Sequence, residues 1–292
     1  MFVSLAAEVE ILQETVIPLA HGEAMHAEFL RRVANLDPAV ATHLHGEADG
    51  RPRPYTLSGL QVEQPVVRDG RVSLRTGDRA WFRLTAMGEL PCQALLAMSE
   101  STDRWLIRGR GFESEAHVRR WCAHAEEHPW AGMVSTKELQ ESAWAAAESE
   151  PKGSLLVFHS ATAFEESDKG WASGMPLPVP RLVFGSLRRR ALECTSFGEP
   201  ANAAELIERH IALGRFGPLL SQILFFEKHR FQRSGFTGEC EFRFDRELPE
   251  PIRVWFHLLA NLAFYSGVGR ETSWGMGQIR REPEDKFSYR GP

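Results

Sequence analysis

Four histidines stand early in the chain, His21, His26, His43 and His45, and Arg53 follows them closely. An imidazole with an ordinary pKa of about 6.5 can give or take a proton near neutrality. A guanidinium can hold negative charge as it develops. Together these side chains offer proton transfer at an anionic centre. His43 and His45 are two apart on the expected helix and do not share a face, so only one of them points to a common site. A metal site would need all four histidines to converge, and no His-Glu-x-x-His pattern supports one. Cys92, Cys122, Cys194 and Cys240 are scattered without a Cys-x-x-Cys pair. They read as buried thiols of a reducing cytosol, not as a zinc site or a disulfide framework.

A second cluster lies near the C-terminus. Gly267-Val268-Gly269-Arg270-Glu271-Thr272-Ser273-Trp274-Gly275-Met276-Gly277 packs four glycines into a short turn. Gly267, Gly269, Gly275 and Gly277 permit close backbone approach and positive φ. Free N–H groups, the Thr272 and Ser273 hydroxyls and Arg270 could cradle phosphates. The turn runs from helix to strand and lacks a Gly-Lys-Ser/Thr ending, so it is neither a P-loop nor a dinucleotide fingerprint. Basic residues gather at Arg188-Arg189-Arg190, at Arg230 and Arg233 beside Lys228, and at Arg280-Arg281. On a helix Arg188, Arg189 and Arg190 span three faces, so one or two of them can reach a common ligand.

These residues need elements to position them. Phe2–Leu12 reads as a strand. Gly22–Leu36 has Met25, Phe29, Leu30, Val33 and Leu36 spaced three and four apart, the pattern of an amphipathic helix. Asp37-Pro38 opens a short second helix reaching about His45. A polar loop follows to Pro54. Tyr55–Gln64, Arg71–Thr76 and Ala80–Met87 read as strands, with Asp69-Gly70 as a hairpin turn. A helix over Leu90–Met98 and a strand over Trp105–Glu113 complete a strand, helix, strand, strand, helix, strand order. Glu113–Ser149 reads as a helical connector. The order then repeats: a strand from Gly153, a helix over Pro180–Cys194, strands over Leu219–Phe226 and Gly238–Asp245, a helix over Pro251–Tyr265, and a strand over Trp274–Arg281. The expected fold is α+β, two tandem ferredoxin-like (RRM-like) βαββαβ domains over residues 1–145 and 146–292.

Composition sets limits. The chain has 292 residues, 43% hydrophobic and 25% charged, which suits a folded protein with a substantial core. No apolar run approaches the roughly 20 residues of a membrane span. The N-terminus carries Glu8 and Glu10 and no basic region, so it is not a secretory signal and a cytoplasmic location is expected. The formal net charge of −5 argues against broad coating of nucleic acid, though not against one local site.

The motifs, taken in order, resemble the CRISPR-associated endoribonucleases that cut repeat RNA into guide units. The glycine-rich turn is similar to that family's C-terminal glycine-rich loop. His26–Leu36 with Asp37-Pro38 and Ala41-Thr42-His43-Leu44-His45 resembles its first helical region, and Arg53-Pro54-Tyr55-Thr56-Leu57-Ser58 its following strand. Ser160-Ala161-Thr162-Ala163-Phe164 and Pro180–Leu187 resemble the start of its second domain. The resemblance implies cleavage of CRISPR repeat RNA by attack of a 2′-hydroxyl on the adjacent phosphate, giving 2′,3′-cyclic phosphate and 5′-hydroxyl ends without metal or cofactor. It implies His45 as general base or acid, His26 as its assistant or replacement, and Arg53 as stabiliser of the phosphorane. Arg188, Arg189, Arg190, Arg230, Arg233 and the glycine loop would hold the RNA. The family's tyrosine on the first helix is missing near Leu30, and Glu271 stands where a basic residue is common. These departures suggest an alternative, a non-catalytic RNA-binding subunit with other CRISPR effector subunits as partners.

Overall fold

The computed structural model describes residues 1–46, 51–101, 104–149, 152–165, 174–226, 229–245, 248–283 and 286. The chain divides into two compact units. The first comprises Met1–Val134, Leu224–Gln232 and Glu271–Gly275, and the second Ser135–Ile223, Arg233–Arg270 and Met276–Pro292.

The first unit contains β1 (Phe2–Ile11), β2 (Thr15–Pro18), α1 (Gly22–Leu36), α2 (Pro38–Gly46), β3 (Tyr55–Leu57), β4 (Gln61–Val62), β5 (Val66–Arg68), β6 (Arg71–Leu74), β7 (Arg79–Met87), α3 (Glu89–Ser99), β8 (Arg104–Gly109), β9 (Phe112–Cys122) and β10 (Gly132–Val134). Its main sheet runs β3-β7-β1-β9-β8. The first four strands of that path give the 2-3-1-4 order of a ferredoxin-like unit, and β8 adds an outer edge. β1 is central, with Val3 opposite Ala86 and Val9 opposite Val118, both pairings antiparallel. It is buried on both faces, which explains its imperfect alternation: Val3, Leu5 and Val9 enter the main core, while Ala6 packs with Cys122 and Ala131. α1 buries Met25, Phe29 and Val33, four apart, against this core. The Asp37 carboxylate accepts from the Ala39 and Val40 amides at 2.8 and 3.2 Å, which starts α2.

The second unit contains α4 (Thr136–Ser149), β11 (Gly153–Thr162), α5 (Pro180–Cys194), α6 (Ala203–His210), β12 (Ile211–Phe216), β14 (Phe231–Phe244), α7 (Glu250–Ser266) and β15 (Ile279–Glu282); β13 (Leu220–Phe226) and the first residues of β14 extend into the first. The sheet order β12-β14-β11-β15 repeats the 2-3-1-4 order. Phe184 of α5 stacks on Phe256 of α7 at 4.7 Å and meets Phe242 edge-on at 5.3 Å, binding both helices to the sheet.

Three expectations are corrected. Trp105–Glu113 is not one strand, nor does a helical connector begin at Glu113; β8 turns at Arg110-Gly111 into β9. Ser114, Ala116 and Val118 are the buried alternate positions of β9. Its charged residues make cross-strand pairs, Arg108–Glu113 at 2.6 Å and Arg119–Glu10 at 3.0 Å, which a helical reading misses. Tyr55–Gln64 is broken into β3 and β4. The last strand begins only at Ile279, because Gly275 and Gly277 take φ of 95° and 66° and a short 3₁₀ turn covers Thr272–Trp274. Helix α6 and strands β2 and β12 were not anticipated from the sequence.

Candidate active site

The first unit brings together His26, Arg53, Tyr55 and Ser273. His26 sits in the second turn of α1, on the flank of the stripe that buries Met25 and Phe29. Arg53 and Tyr55 lie on either side of the bend at Pro54, where the chain enters β3, and both side chains reach His26. The Arg53 Nη1 donates to His26 Nε2 at 2.8 Å and to Ser273 Oγ at 3.1 Å. The Tyr55 hydroxyl lies 2.9 Å from the same Nε2. The Tyr55 ring is fully buried, runs nearly parallel to the imidazole at 5.9 Å, and has the guanidinium over its face at 5.9 Å.

This arrangement fixes the state of His26. Guanidinium only donates, so Nε2 accepts and the ring proton belongs on Nδ1. The site therefore holds an unprotonated imidazole nitrogen beside a positive charge and a hydroxyl. A phosphate oxygen would compete for Arg53 through charge-assisted hydrogen bonds, stronger than the neutral contact it makes now. The site thus combines a proton acceptor with a cation for an oxyanion.

Ser273 reaches this site because the Glu271–Gly275 segment packs tightly within the first unit. A Cβ on Gly22 would fall 1.8 Å from the Trp274 carbonyl oxygen, and one on Gly275 2.9 Å from the Gly59 nitrogen. The Trp274 ring stacks on His229 at 5.2 Å, and His229 Nε2 pairs with Glu23 Oε1 at 3.0 Å.

Elsewhere in the glycine loop, amides expected to be free are hydrogen-bonded within the protein. Gly267 donates to Ala263, Val268 to Gly277, Gly269 to Ser186 Oγ, Arg270 to Ala163 and Gly277 to Ala161. A Cβ on Gly269 would meet the Ala163 carbonyl oxygen at 2.4 Å. These glycines permit close packing on β11. Thr272 is buried, and Arg270 faces Glu165 at 3.9 Å.

The arginines of α5 separate by environment. Arg190 is buried and donates to the Gly269 carbonyl at 2.9 Å; burial pulls its pKa down to about 10, so it stays charged at neutral pH. Arg188 forms a two-pronged pair with Glu199 at 2.5 and 2.6 Å. Arg189 is exposed and pairs with Glu193 one turn on. Arg230 is exposed in a turn with φ of 54°, and Arg233 is buried in β14. Lys228 lies outside the described residues.

Two other histidines have different surroundings. His21 is buried, donates from Nδ1 to the Pro18 carbonyl at 2.8 Å and accepts the Leu60 amide at 2.7 Å on Nε2. Burial lowers its pKa and keeps it neutral, as a structural ring. His43 is exposed on α2. His45 belongs to the last turn of α2, and its side chain lies outside the described residues. Among the described residues no three His, Cys, Asp or Glu side chains gather as a metal set, and no helix is long and apolar enough to cross a membrane.

Sequence reasoning missed Tyr55 as a member of this site. The two-residue spacing from Arg53 was the available signal. No Tyr stands on α1 near Leu30; a phenol reaches His26 from β3 instead.

Comparison with known proteins places this geometry in context. Residues 156–279 match the model of the family described as CRISPR-associated endoribonuclease Cas6. A Thermus thermophilus Cas6 solved as a product complex is 25% identical with a TM-score of 0.74, covering 97% of this chain and 100% of that one. The same Cas6 under its own name alone is 26% identical with a TM-score of 0.66, covering 97% and 98%. A second Cas6 product complex is 24% identical with a TM-score of 0.69, covering 97% and 99%. No curated protein matches the chain by sequence.

Proposed function

This chain belongs to the CRISPR-associated endoribonuclease family, and we propose that it cuts CRISPR repeat RNA at a site built on His26 and Arg53. The observation that supports the site is the Arg53 guanidinium, shared between His26 Nε2 and Ser273 Oγ.

In this reading the scissile phosphate draws Arg53 toward its non-bridging oxygens. Once the Tyr55 hydroxyl also turns away from it, His26 Nε2 is open to the 2′-hydroxyl and removes its proton. The 2′-oxygen attacks phosphorus, the bond to the 5′-oxygen breaks, and that oxygen takes a proton. The products are a 2′,3′-cyclic phosphate and a 5′-hydroxyl. Arg53 holds the extra negative charge of the phosphorane, and Ser273 and Tyr55 hold Arg53 and His26 in place. His45, at the end of α2, is proposed as the second proton-transfer group, acting on the leaving oxygen. Proton transfer contributes about 10² to 10⁴ in rate, and charge stabilisation about 10² to 10³. The exposed arginines Arg189 and Arg230 are proposed to contact the RNA backbone, while Arg188, Arg190, Arg233 and the glycines shape the surface that receives it.

The test is the cognate repeat RNA incubated with the protein in EDTA. The proposal expects one cut, with a cyclic phosphate on the upstream fragment that acid opens to a monophosphate. A 3′-hydroxyl product, or cleavage restored only by added Mg²⁺, overturns the mechanism. Repeat RNA that is bound and left whole overturns the activity.

A further inference from the structure

Near the proposed catalytic cluster lies an open cavity of about 320 Å³, between α1 and the β8–β9 hairpin within the first unit. Its walls include Ala24, Ala27, Gly109 and Phe112, with Glu23 on one side and Arg108 and Arg110 at the rim. We propose that this cavity receives one nucleobase of the bound RNA, next to the scissile phosphate, stacked on Phe112. The inference rests on the proposed function and names a specificity subsite for it.

Three observations carry the argument. The first is shape. The small side chains of Ala24 and Ala27 leave a volume at the lower end of the range for small-molecule sites, and an aromatic ring forms one wall. The second is preorganisation. A Cβ on Gly109 would fall 2.2 Å from the Phe112 ring, so the ring rests directly on the bare backbone of the hairpin. A ring held in that way can stack a base without first losing rotamer freedom. The third is chemistry and place. Glu23 is mostly buried, with Oε1 3.0 Å from His229 Nε2, and its carboxylate can accept from a base amino or imino group. Glu23 precedes His26 by three residues on α1, about 4.5 Å of helix rise, within the reach of a single nucleotide. Arg108 and Arg110 are exposed at the rim, where the sugar-phosphate backbone would pass.

The experiment uses the full chain and cognate repeat RNA made uncleavable by a 2′-deoxy nucleotide at the cut site. Single abasic nucleotides are placed in turn at the positions flanking the cut. Stacking on an aromatic ring is lost in Phe112→Ala, so that variant binds the intact repeat about tenfold more weakly. At one position the abasic lesion weakens wild type by a similar factor and Phe112→Ala hardly at all. Phe112→Leu, which retains volume, shows the same loss of coupling, and Glu23→Gln flattens the base preference at that position alone. Losses from lesion and variant that multiply at every position overturn the subsite. A wild-type protein that fails to bind or cut the repeat overturns the proposed function instead, and this inference with it.

Discussion

Arg53 in the first unit and Arg190 in the second are the same residue type put to opposite uses. Arg53 is half-buried, and its Nη1 donates to a histidine nitrogen and a hydroxyl. Both are neutral acceptors that a phosphate can outbid. Arg190 is buried on α5 and donates to the Gly269 carbonyl, holding a loop that packs on β11. In the proposed mechanism one guanidinium exchanges partners, whereas the other is a strut. What separates them is solvent access, not density of positive charge along the chain. The densest basic run, Arg188–Arg190, contains one strut, one arginine locked to Glu199 and one exposed arginine.

That contrast can be broken by substitution, and the largest effect is expected at the exchanging arginine. Arg53→Ala lowers the single-turnover cleavage rate by about 10² to 10³ with little change in thermal stability; Arg53→Lys recovers part of the rate because it keeps charge but not the fork. Ser273→Ala, which removes only one of the contacts that orient Arg53, costs about tenfold, equivalent to one hydrogen bond of about 1 to 1.5 kcal/mol. Arg190→Leu shows the reverse profile, with stability in urea falling by about 1 to 3 kcal/mol as the Gly269 carbonyl loses its donor and cleavage falling only as far as unfolding requires. Arg189→Ala changes stability by under about 0.5 kcal/mol, as expected for an exposed pair, and reduces the salt dependence of RNA binding by roughly one phosphate contact. If Arg53→Ala unfolds the protein while Arg190→Leu abolishes cutting in a folded one, the comparison is reversed.

Titration gives a smaller test. His21 is held neutral by burial, so its folded-state pKa lies below the ordinary 6.5. The unfolded chain then binds more protons, and the stability contributed is complete above pH 6.5 and lost as pH falls below it. Urea midpoints measured downward from pH 7 should show this decline, and His21→Gln should flatten it. The buried thiols of Cys92 and Cys240, pushed up to about 12, should resist alkylation in the folded protein.

Much of the fold was legible because its periodicities are strong. α1 and α5 were read at their observed bounds, since Met25, Phe29 and Val33 in one and Val183, Leu187 and Ala191 in the other mark a single face. β9 was not legible. Its buried positions are small or weakly apolar, and its Glu and Arg residues pair across strands far apart in sequence. The site was half legible. His26 and Arg53 could be named from residue type, whereas the contact with Ser273, 220 positions from Arg53, exists only in the folded chain. In the glycine loop, closely spaced glycines signal close approach, and the fold supplies the protein's own backbone at Ala161 and Ala163 as a partner.

The proposed mechanism depends most on His26 as the base. Single-turnover cleavage of the cognate repeat in EDTA, comparing wild type with His26→Ala and His45→Ala at saturating protein, tests it directly. The account predicts that His26→Ala slows cutting by about 10² to 10⁴ while repeat binding stays within a few-fold of wild type. His26→Ala cutting at the wild-type rate, with or without an effect of His45→Ala, contradicts it.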